Sequence, residues 1–217
     1  MYKEKDINKF LQYLKNINYN GDEIEIIVVD GDNGSTINSI TIEDIIKLSC
    51  AKGRANQMNE GAKKATGEIL LFLHADTYLP KNAIALIINT LSSHTISAGA
   101  FDLDFDTDNK KIKTIAKVAS WRSRKTQLPY GDQAIFIKRK VFERVKGYEN
   151  YLLMEDINLM QKLKKKKFQI KILDQKVITS AKKWEENGVV KNTLRNWLLI
   201  GLYFCGIHPN RLAKYYK

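Results

Sequence analysis

The sequence is poor in the residues that mark several protein classes. It has two cysteines, Cys50 and Cys205, in 217 residues. They lie far apart and show no C-x-x-C spacing, which argues against a disulfide scaffold or a structural zinc site and fits a reducing cytoplasm. Three prolines and 12 glycines are too few for a collagen-like or disordered chain. Long apolar runs are absent: the stretch Trp197 to Ile207 has about 11 residues, against the roughly 20 that a spanning helix needs. The opening MYKEKDINKF is polar and does not read as a signal peptide. The length suits one well-buried domain, or a domain with a small appendage.

What is abundant is positive charge, and it is unevenly spread. Lys and Arg number 36 against 24 Asp and Glu, for a net charge of +12. Residues 1–110 carry 11 basic and 16 acidic side chains, whereas residues 111–217 carry 25 and 8. Such polarity turns the second half toward an anionic partner (phosphate, nucleic acid or membrane surface) or reflects solvated lysine-rich faces.

Periodicity sets out alternating α and β elements. Residues 5–17 place Ile7, Phe10, Leu11 and Leu14 at helical spacing. The run Ile26-Ile27-Val28-Val29 reads as a strand buried on both faces, ending in the polar turn Asp30 to Ser35. Residues 54–65 form a helix with Ala55, Met58 and Ala62 inward, and 67–73 a second buried strand ending in His74-Ala75-Asp76. A helix over 81–92 precedes 98–106, whose alternating apolar and acidic residues predict a half-exposed strand. A helix near 110–120 is followed by a loop over 121–133, a strand over 134–138 and a helix from about 140. Residues 151–166 read as a loop entering a helix, 170–173 as a short strand, and the chain from about 188 as helical. The order predicts an open α/β sheet, with ligands at the carboxyl ends of its strands.

Several residues at those ends suit chemistry. Asp30 at a strand tip can accept hydrogen bonds from a base or ribose, or cap the next helix. Asp76 can hold a divalent cation that bridges phosphate oxygens, with His74 as a weak second ligand. Glu155-Asp156 at a helix start can supply a general base, or balance the helix dipole. Arg122, Arg124 and Lys125 share the expected loop with Tyr130-Gly131-Asp132-Gln133, and arginine grips phosphate in a bidentate way. Lys182, Lys183, Trp184 and Arg195 form another basic cluster with an aromatic.

Six strings occur in order: IIVVDGDNGST, GRANQMNEGAKKATGEILLFLHADTYLP, LPYGDQAIFIKR, LMEDINL, SAKKWEENGVVKNTLRNWLL and GLYFCGIHPNRLAKYY. Together they resemble family 2 glycosyltransferases of the GT-A fold. Within these they are most similar to the radical-SAM/selenodomain-associated transferase 2, or arsenosugar-biosynthesis, group. The resemblance implies a GT-A domain over 1–187 and a helical extension over 188–217. It implies a UDP- or GDP-sugar donor, a small-molecule or lipid acceptor, a Mn2+ or Mg2+ ion and inverting transfer, with no nucleic-acid partner. On the matching positions, Asp30 and Gly31 would meet the base, and Arg54 the base and phosphates. Asp76 would sit at the last position of a DxD-like motif whose first acidic residue is here His74. Asp156, next to Glu155, would be the catalytic base. Arg122 or Arg124 would close over the diphosphate, and Tyr130 to Gln133 with Lys183 and Trp184 would shape the acceptor side. Apart from the resemblance, the basic charge of the second half and the apolar segment Trp197–Tyr203 suit a peripheral contact at the inner face of a membrane.

One departure carries its own expectation. Family 2 chains usually open with a buried strand that lies between the strands here at 24–29 and 69–73. Met1-Tyr2-Lys3-Glu4 aligns with the end of the turn after it, so the sheet is expected to lack that strand. Either the start codon is misassigned or the protein is compromised, leaving a nucleotide-sugar-binding protein without turnover as an alternative function. A basic nucleic-acid-binding protein is a further alternative, and no zinc-finger, RNP-like or recognition-helix pattern supports it.

Overall fold

β-Branched residues favour extended backbone, and the run Ile27-Val28-Val29 forms the first strand of the computed structural model, which describes residues 6–17, 21 and 23–216. The helices are α1 (Ile7–Lys15), α2 (Arg54–Lys64), α3 (Ala83–Leu91), α4 (Lys110–Thr126), α5 (Arg139–Arg144), α6 (Glu155–Lys165), α7 (Lys182–Asn187), α8 (Val189–Phe204) and α9 (Pro209–Leu212). The strands are β1 (Ile27–Asp30), β2 (Ile46–Ser49), β3 (Ile69–Phe72), β4 (Thr77–Tyr78), β5 (Ile96–Phe105), β6 (Ile135–Lys138) and β7 (Gln169–Thr179).

The result is an α/β architecture whose sheet is flanked by helices. β1 and β2 pair in parallel. The other five strands run in the order β3-β6-β5-β7-β4. Within them β3, β5 and β7 share one direction, and β6 and β4 run against it. Buried apolar residues pack on both sides. Ile135, Ile137, Ile157, Leu159, Met160 and Leu163 anchor one cluster, which Leu199 of α8 and Leu212 of α9 join. Phe101, Leu103, Phe105, Phe136, Ile112 and Ile87 anchor the second.

Several predicted elements change. The acidic alternation of 98–106 does not mark a half-exposed strand: β5 lies at the centre of its sheet, and residues 97–103 are all buried. Its carboxylates are tolerated because cations reach them. Asp102 pairs with Arg124, and Asp104 meets Lys113 at 2.9 Å and Lys176 at 3.4 Å. The loop expected over 121–133 begins only after α4 ends. Asn109 caps that helix through the Lys111 N–H, and Gln127 closes it in the left-handed region at φ 57°. Arg122, Arg124 and Lys125 are therefore helical. The short strand at 170–173 is the start of an 11-residue β7, and β2 and β4 add two strands that the sequence reading did not include. The part of the first helix expected at residue 5 lies outside the described residues.

The sheet is divided where the absent strand was expected. Among the described residues no ladder joins β1 to β3. Between them lies a cavity of about 1040 Å³, lined along one wall by Ile27 to Val29 and along the other by Ile69 to Phe72. Side chains span the division in place of a ladder. Gln57 Nε2 donates to the Val29 carbonyl at 2.9 Å, and Glu25 accepts from the Gly67 N–H at 2.7 Å. This explains why β3 is not buried on both faces: only Leu70 of its four residues is buried.

Close approach at the sheet centre yields a stability test. A Cβ on Gly99 would lie 2.4 Å from both the Lys171 carbonyl and the Phe136 ring, with a backbone atom that cannot step aside. Gly99→Ala is expected to cost at least ~2 kcal/mol in urea unfolding. Gly201→Ala, which meets nothing within 4 Å in the last turn of α8, is expected to stabilise by about 0.5 kcal/mol.

Candidate active site

The site is built at the strand ends from the turn after α4. Tyr130 opens a one-turn 3-10 helix, Gly131–Gln133, and that turn is fixed by the buried side chain of Gln133. Its Oε1 accepts from Ser123 Oγ at 2.7 Å and from the Tyr130 N–H at 3.0 Å, while its Nε2 donates to the Phe101 carbonyl at 2.8 Å. Gln133 thus ties α4, β5 and the turn together and is a structural member of the predicted group. The turn presents the Gly131 N–H, which donates to Asp156 Oδ2 at 2.6 Å.

Asp156 and Glu155 are the first two residues of α6, where the helix dipole favours negative charge. Asp156 Oδ1 also accepts from the Ile157 N–H at 2.7 Å. Removal from water raises the Asp156 carboxyl, against the two N–H donors and the charges of Arg54 and Arg122. Glu155 is 4% exposed. Burial, then the neighbouring Asp156, push it up to about 7. Asp132 is also pushed up to about 7, by its withdrawal from water and then by Asp156 and Asp76, against Arg54 and Arg122. Its Oδ1 is shielded from solvent and has no hydrogen-bond partner among the described residues.

Cations and rings enclose this acidic group. The Arg122 guanidinium lies 3.6 Å from the centroid of the Tyr130 ring, and burial lifts the Tyr130 hydroxyl to about 12. Arg54, the first residue of α2, acts on His74, Asp132, Glu155 and Asp156 at once. His74 lies against the turn: a Cβ on Gly131 would be 3.1 Å from its Nε2 and 3.6 Å from Asp156 Oδ2. Desolvation and the Arg54 charge lower His74 to about 3, so its ring is neutral. The cavity between β1 and β3 reaches this place, with Arg54, His74 and Asp76 in its lining.

Other predicted residues sit elsewhere or are engaged. Asp30 is fully buried and turned to its own loop, accepting from the N–H groups of Asp32 and Thr36 at 2.9 Å. Gly31 packs by Gln57, whose Oε1 would be 3.0 Å from a Cβ there. Arg124 is held by Asp102 on β5. Lys183 donates to the Tyr216 hydroxyl at 2.9 Å and lies 4.0 Å over that ring, and Trp184 packs edge-on against Phe105. Lys183 thus ties the C-terminal segment to α7, and Trp184 ties α7 to β5. The sequence reading omitted Tyr148. Its hydroxyl is buried without a partner among the described residues and is raised first by burial, then by Asp156 and Glu155. Asn59 holds its backbone through bonds of 2.9 and 3.0 Å. The string Lys146-Gly147-Tyr148 carries no local signal for such a role.

Among the described residues no three His, Cys, Asp or Glu side chains converge as a ready-made metal cage. Asp76 is exposed at its strand tip and stands near enough to raise Asp132, whose Oδ1 lacks a partner. Two oxygen donors at an open position fit a hard cation that completes its shell with phosphate oxygens and water.

The raised carboxyls predict a pH dependence. Unfolded Asp and Glu titrate near 4, whereas folded Asp132 and Glu155 keep their protons up to about 7. Between those values the folded state binds more protons, so the contribution of these groups to stability falls as pH rises from about 4 to about 7 and is level above. Asp132→Asn removes one such group. Compared with the unsubstituted protein, its urea-unfolding free energy is expected to improve by about 1–3 kcal/mol more at pH 8 than at pH 4.5.

Comparison with known proteins agrees with this architecture. The family model described as Glycosyl transferase family 2 matches residues 1–151. The mannosyltransferase PcManGT from Pyrobaculum calidifontis, solved in complex with GDP-Man and Mn2+, superposes with a TM-score of 0.64 at 20% identity, over 82% of this chain and 54% of its own. Residues 1–349 of S. aureus TarS superpose with a TM-score of 0.59 at 14% identity, over 92% of this chain and 62% of that one. The chain therefore spans little more than half the length of these two structures, and the likeness concerns the fold. No curated protein is similar enough in sequence to count as a relative. With the matched model covering well over half of its length, the chain belongs to glycosyl transferase family 2 and shares the GT-A fold.

Proposed function

We propose that the protein transfers a sugar from a nucleoside diphosphate donor, a UDP- or GDP-sugar, to a small-molecule or lipid-linked acceptor with inversion at the anomeric carbon. The observation that carries this reading is the setting of Asp156. It is a carboxylate at a helix start, held by two backbone N–H groups, with raised proton affinity and two arginines beside it. A general base needs fixed geometry and a raised affinity for the proton it accepts. Asp156 would take the proton from the acceptor hydroxyl as that oxygen attacks the anomeric carbon opposite the diphosphate. The C–O bond to the diphosphate breaks, and the nucleoside diphosphate leaves with the electron pair.

Arg54 and Arg122 would meet the negative charge that grows on this leaving group. Arg122 suits the role because its guanidinium is already stacked on Tyr130 and its Nε has no hydrogen-bond partner among the described residues. Asp76, with Asp132, would hold a Mn2+ or Mg2+ ion, which when bound neutralises diphosphate charge. His74, neutral and against Gly131, serves this reading better as a wall than as a ligand. Asp30 would act on the base side chiefly by shaping its loop. The complex of PcManGT with GDP-Man and Mn2+ supports the donor class and the ion. Kinship to the arsenosugar-biosynthesis group rests on strings such as LPYGDQAIFIKR, and the free thiols Cys50 and Cys205 support a reducing compartment such as the cytoplasm.

A second reading, binding of a nucleotide sugar without turnover, is favoured by the divided sheet beside the site. Donor turnover with Mn2+ and thermal shift by nucleotide sugars separate the two. Transfer predicts hydrolysis or transfer by the unsubstituted chain, a loss of about 10²–10⁴ in kcat for Asp156→Asn, and donor affinity within about threefold. Thermal stabilisation without turnover would support the second reading, and neither signal would sink both.

A further inference from the structure

Helix α8 carries its apolar surface on the outside. Its buried residues are Asn192 and Leu199. On the opposite side Val190, Leu194, Trp197, Leu198 and Phe204 are between 54% and 66% exposed. At about 100° per residue these five side chains fall within an arc of roughly 120°. Gly201, where an added Cβ would meet nothing within 4 Å, lies in the same arc. The core therefore takes the side of the helix that carries Leu199, with Ile200, Leu202 and Tyr203 packed beside it, and on the other side a continuous stripe with a tryptophan near its middle faces water. Stripes of this extent mark interaction surfaces.

The charges around the stripe identify the partner. From Gly188 to Lys217 the sequence has Lys191, Arg195, Arg211, Lys214 and Lys217 and no acidic residue. Lys191 is exposed on the rim of the stripe, and Arg211 and Lys214 are exposed on the short helices that follow. The acidic residues just before α8 are Glu185, bonded to Thr107, and Glu186, near Lys182. A second copy seated on this face would bring the same cations together. An anionic surface laid on the stripe would be met by Lys191 with no carboxylate beside it, while Arg195 is turned to Asn192 and the Tyr216 ring.

We propose that this face of α8 docks on an anionic phospholipid surface with its axis in the membrane plane. Sixteen residues span about 24 Å as a helix, and no helix among the described residues is long and apolar enough to cross a membrane. Trp197 would sit at headgroup level, where an amphipathic ring finds both apolar and polar neighbours. Leu194, Leu198 and Phe204 would enter the acyl boundary, and Lys191 would face lipid phosphates. This docking is independent of whether the chain transfers sugar.

Co-sedimentation of the full chain with vesicles tests it. The chain is expected to partition onto vesicles of phosphatidylcholine with phosphatidylglycerol at least ~10-fold more strongly than onto phosphatidylcholine alone. Trp197→Ser with Leu198→Ser is expected to lower that partition at least ~10-fold, and Leu194→Gln to lower it in the same direction. Lys191→Gln is expected to lower it about fivefold, the equivalent of the ~1 kcal/mol that one lysine contributes at an anionic surface. Circular dichroism and melting temperature should stay unchanged, since all four side chains are exposed. Equal binding to both vesicle types, or binding indifferent to the stripe substitutions, overturns the proposal. So does a solution dimer that the double substitution dissolves in a protein that ignores vesicles.

Discussion

One buried amide underlies the geometry of the carboxylate site. Gln133 uses both ends of its side chain, accepting from Ser123 and from the Tyr130 N–H and donating to the Phe101 carbonyl. Each bond comes from a different element: helix α4, the turn itself and the central strand β5. A buried amide bonded at both ends acts as a rigid pin, because losing one of these bonds leaves a desolvated group unpaired. From this pin follows the aim of the Gly131 N–H, and from that N–H follows the position of Asp156.

The electrostatics of the site show opposed forces with a clear winner. Desolvation leads the shifts at Asp132, Glu155 and Asp156, ahead of the attraction of Arg54 and Arg122. Three carboxyls and two guanidiniums confined together cannot all be satisfied by one another. The result is a group of acids with raised proton affinity beside cations that retain capacity for an anionic ligand. The bonds on Asp156 come from backbone rather than side chains, so its orientation does not depend on the protonation of a neighbour.

Much of this was legible in the sequence. Buried β-branched and apolar runs ending in Asp30 and Asp76 located the strand tips, and Glu155-Asp156 announced a helix start that became the centre of the site. The rest depended on tertiary contacts. Arg122 and Arg124 read as loop residues because α4 ends on Gln127 in a left-handed conformation, without the glycine that usually signals such a stop. Two residues apart, they face different partners: Arg122 goes to Tyr130 and Arg124 to Asp102. The acidic alternation of β5 read as a solvent face because the covering cations come from α4 and β7, distant in sequence. β7 read as short because polar Asp174, Gln175 and Lys176 interrupt it, where the register with β5 shifts. Tyr148 joins the surroundings of the site only when α6 brings Asp156 and Glu155 near it.

The division between β1 and β3 has a mechanical consequence. A hydrogen-bonded ladder resists shear along its whole length, whereas the links here are discrete: Gln57 to Val29, Glu25 to Gly67, and the Tyr13 hydroxyl bonded to both backbone groups of Leu79. The wall that carries Asp30 and the wall that carries the carboxylates are thus coupled through side chains, these bonds together with the apolar packing of α1 against Val28 on one wall and Leu73 on the other. A ligand that touches both would act as a further strut between walls that no backbone ladder joins among the described residues.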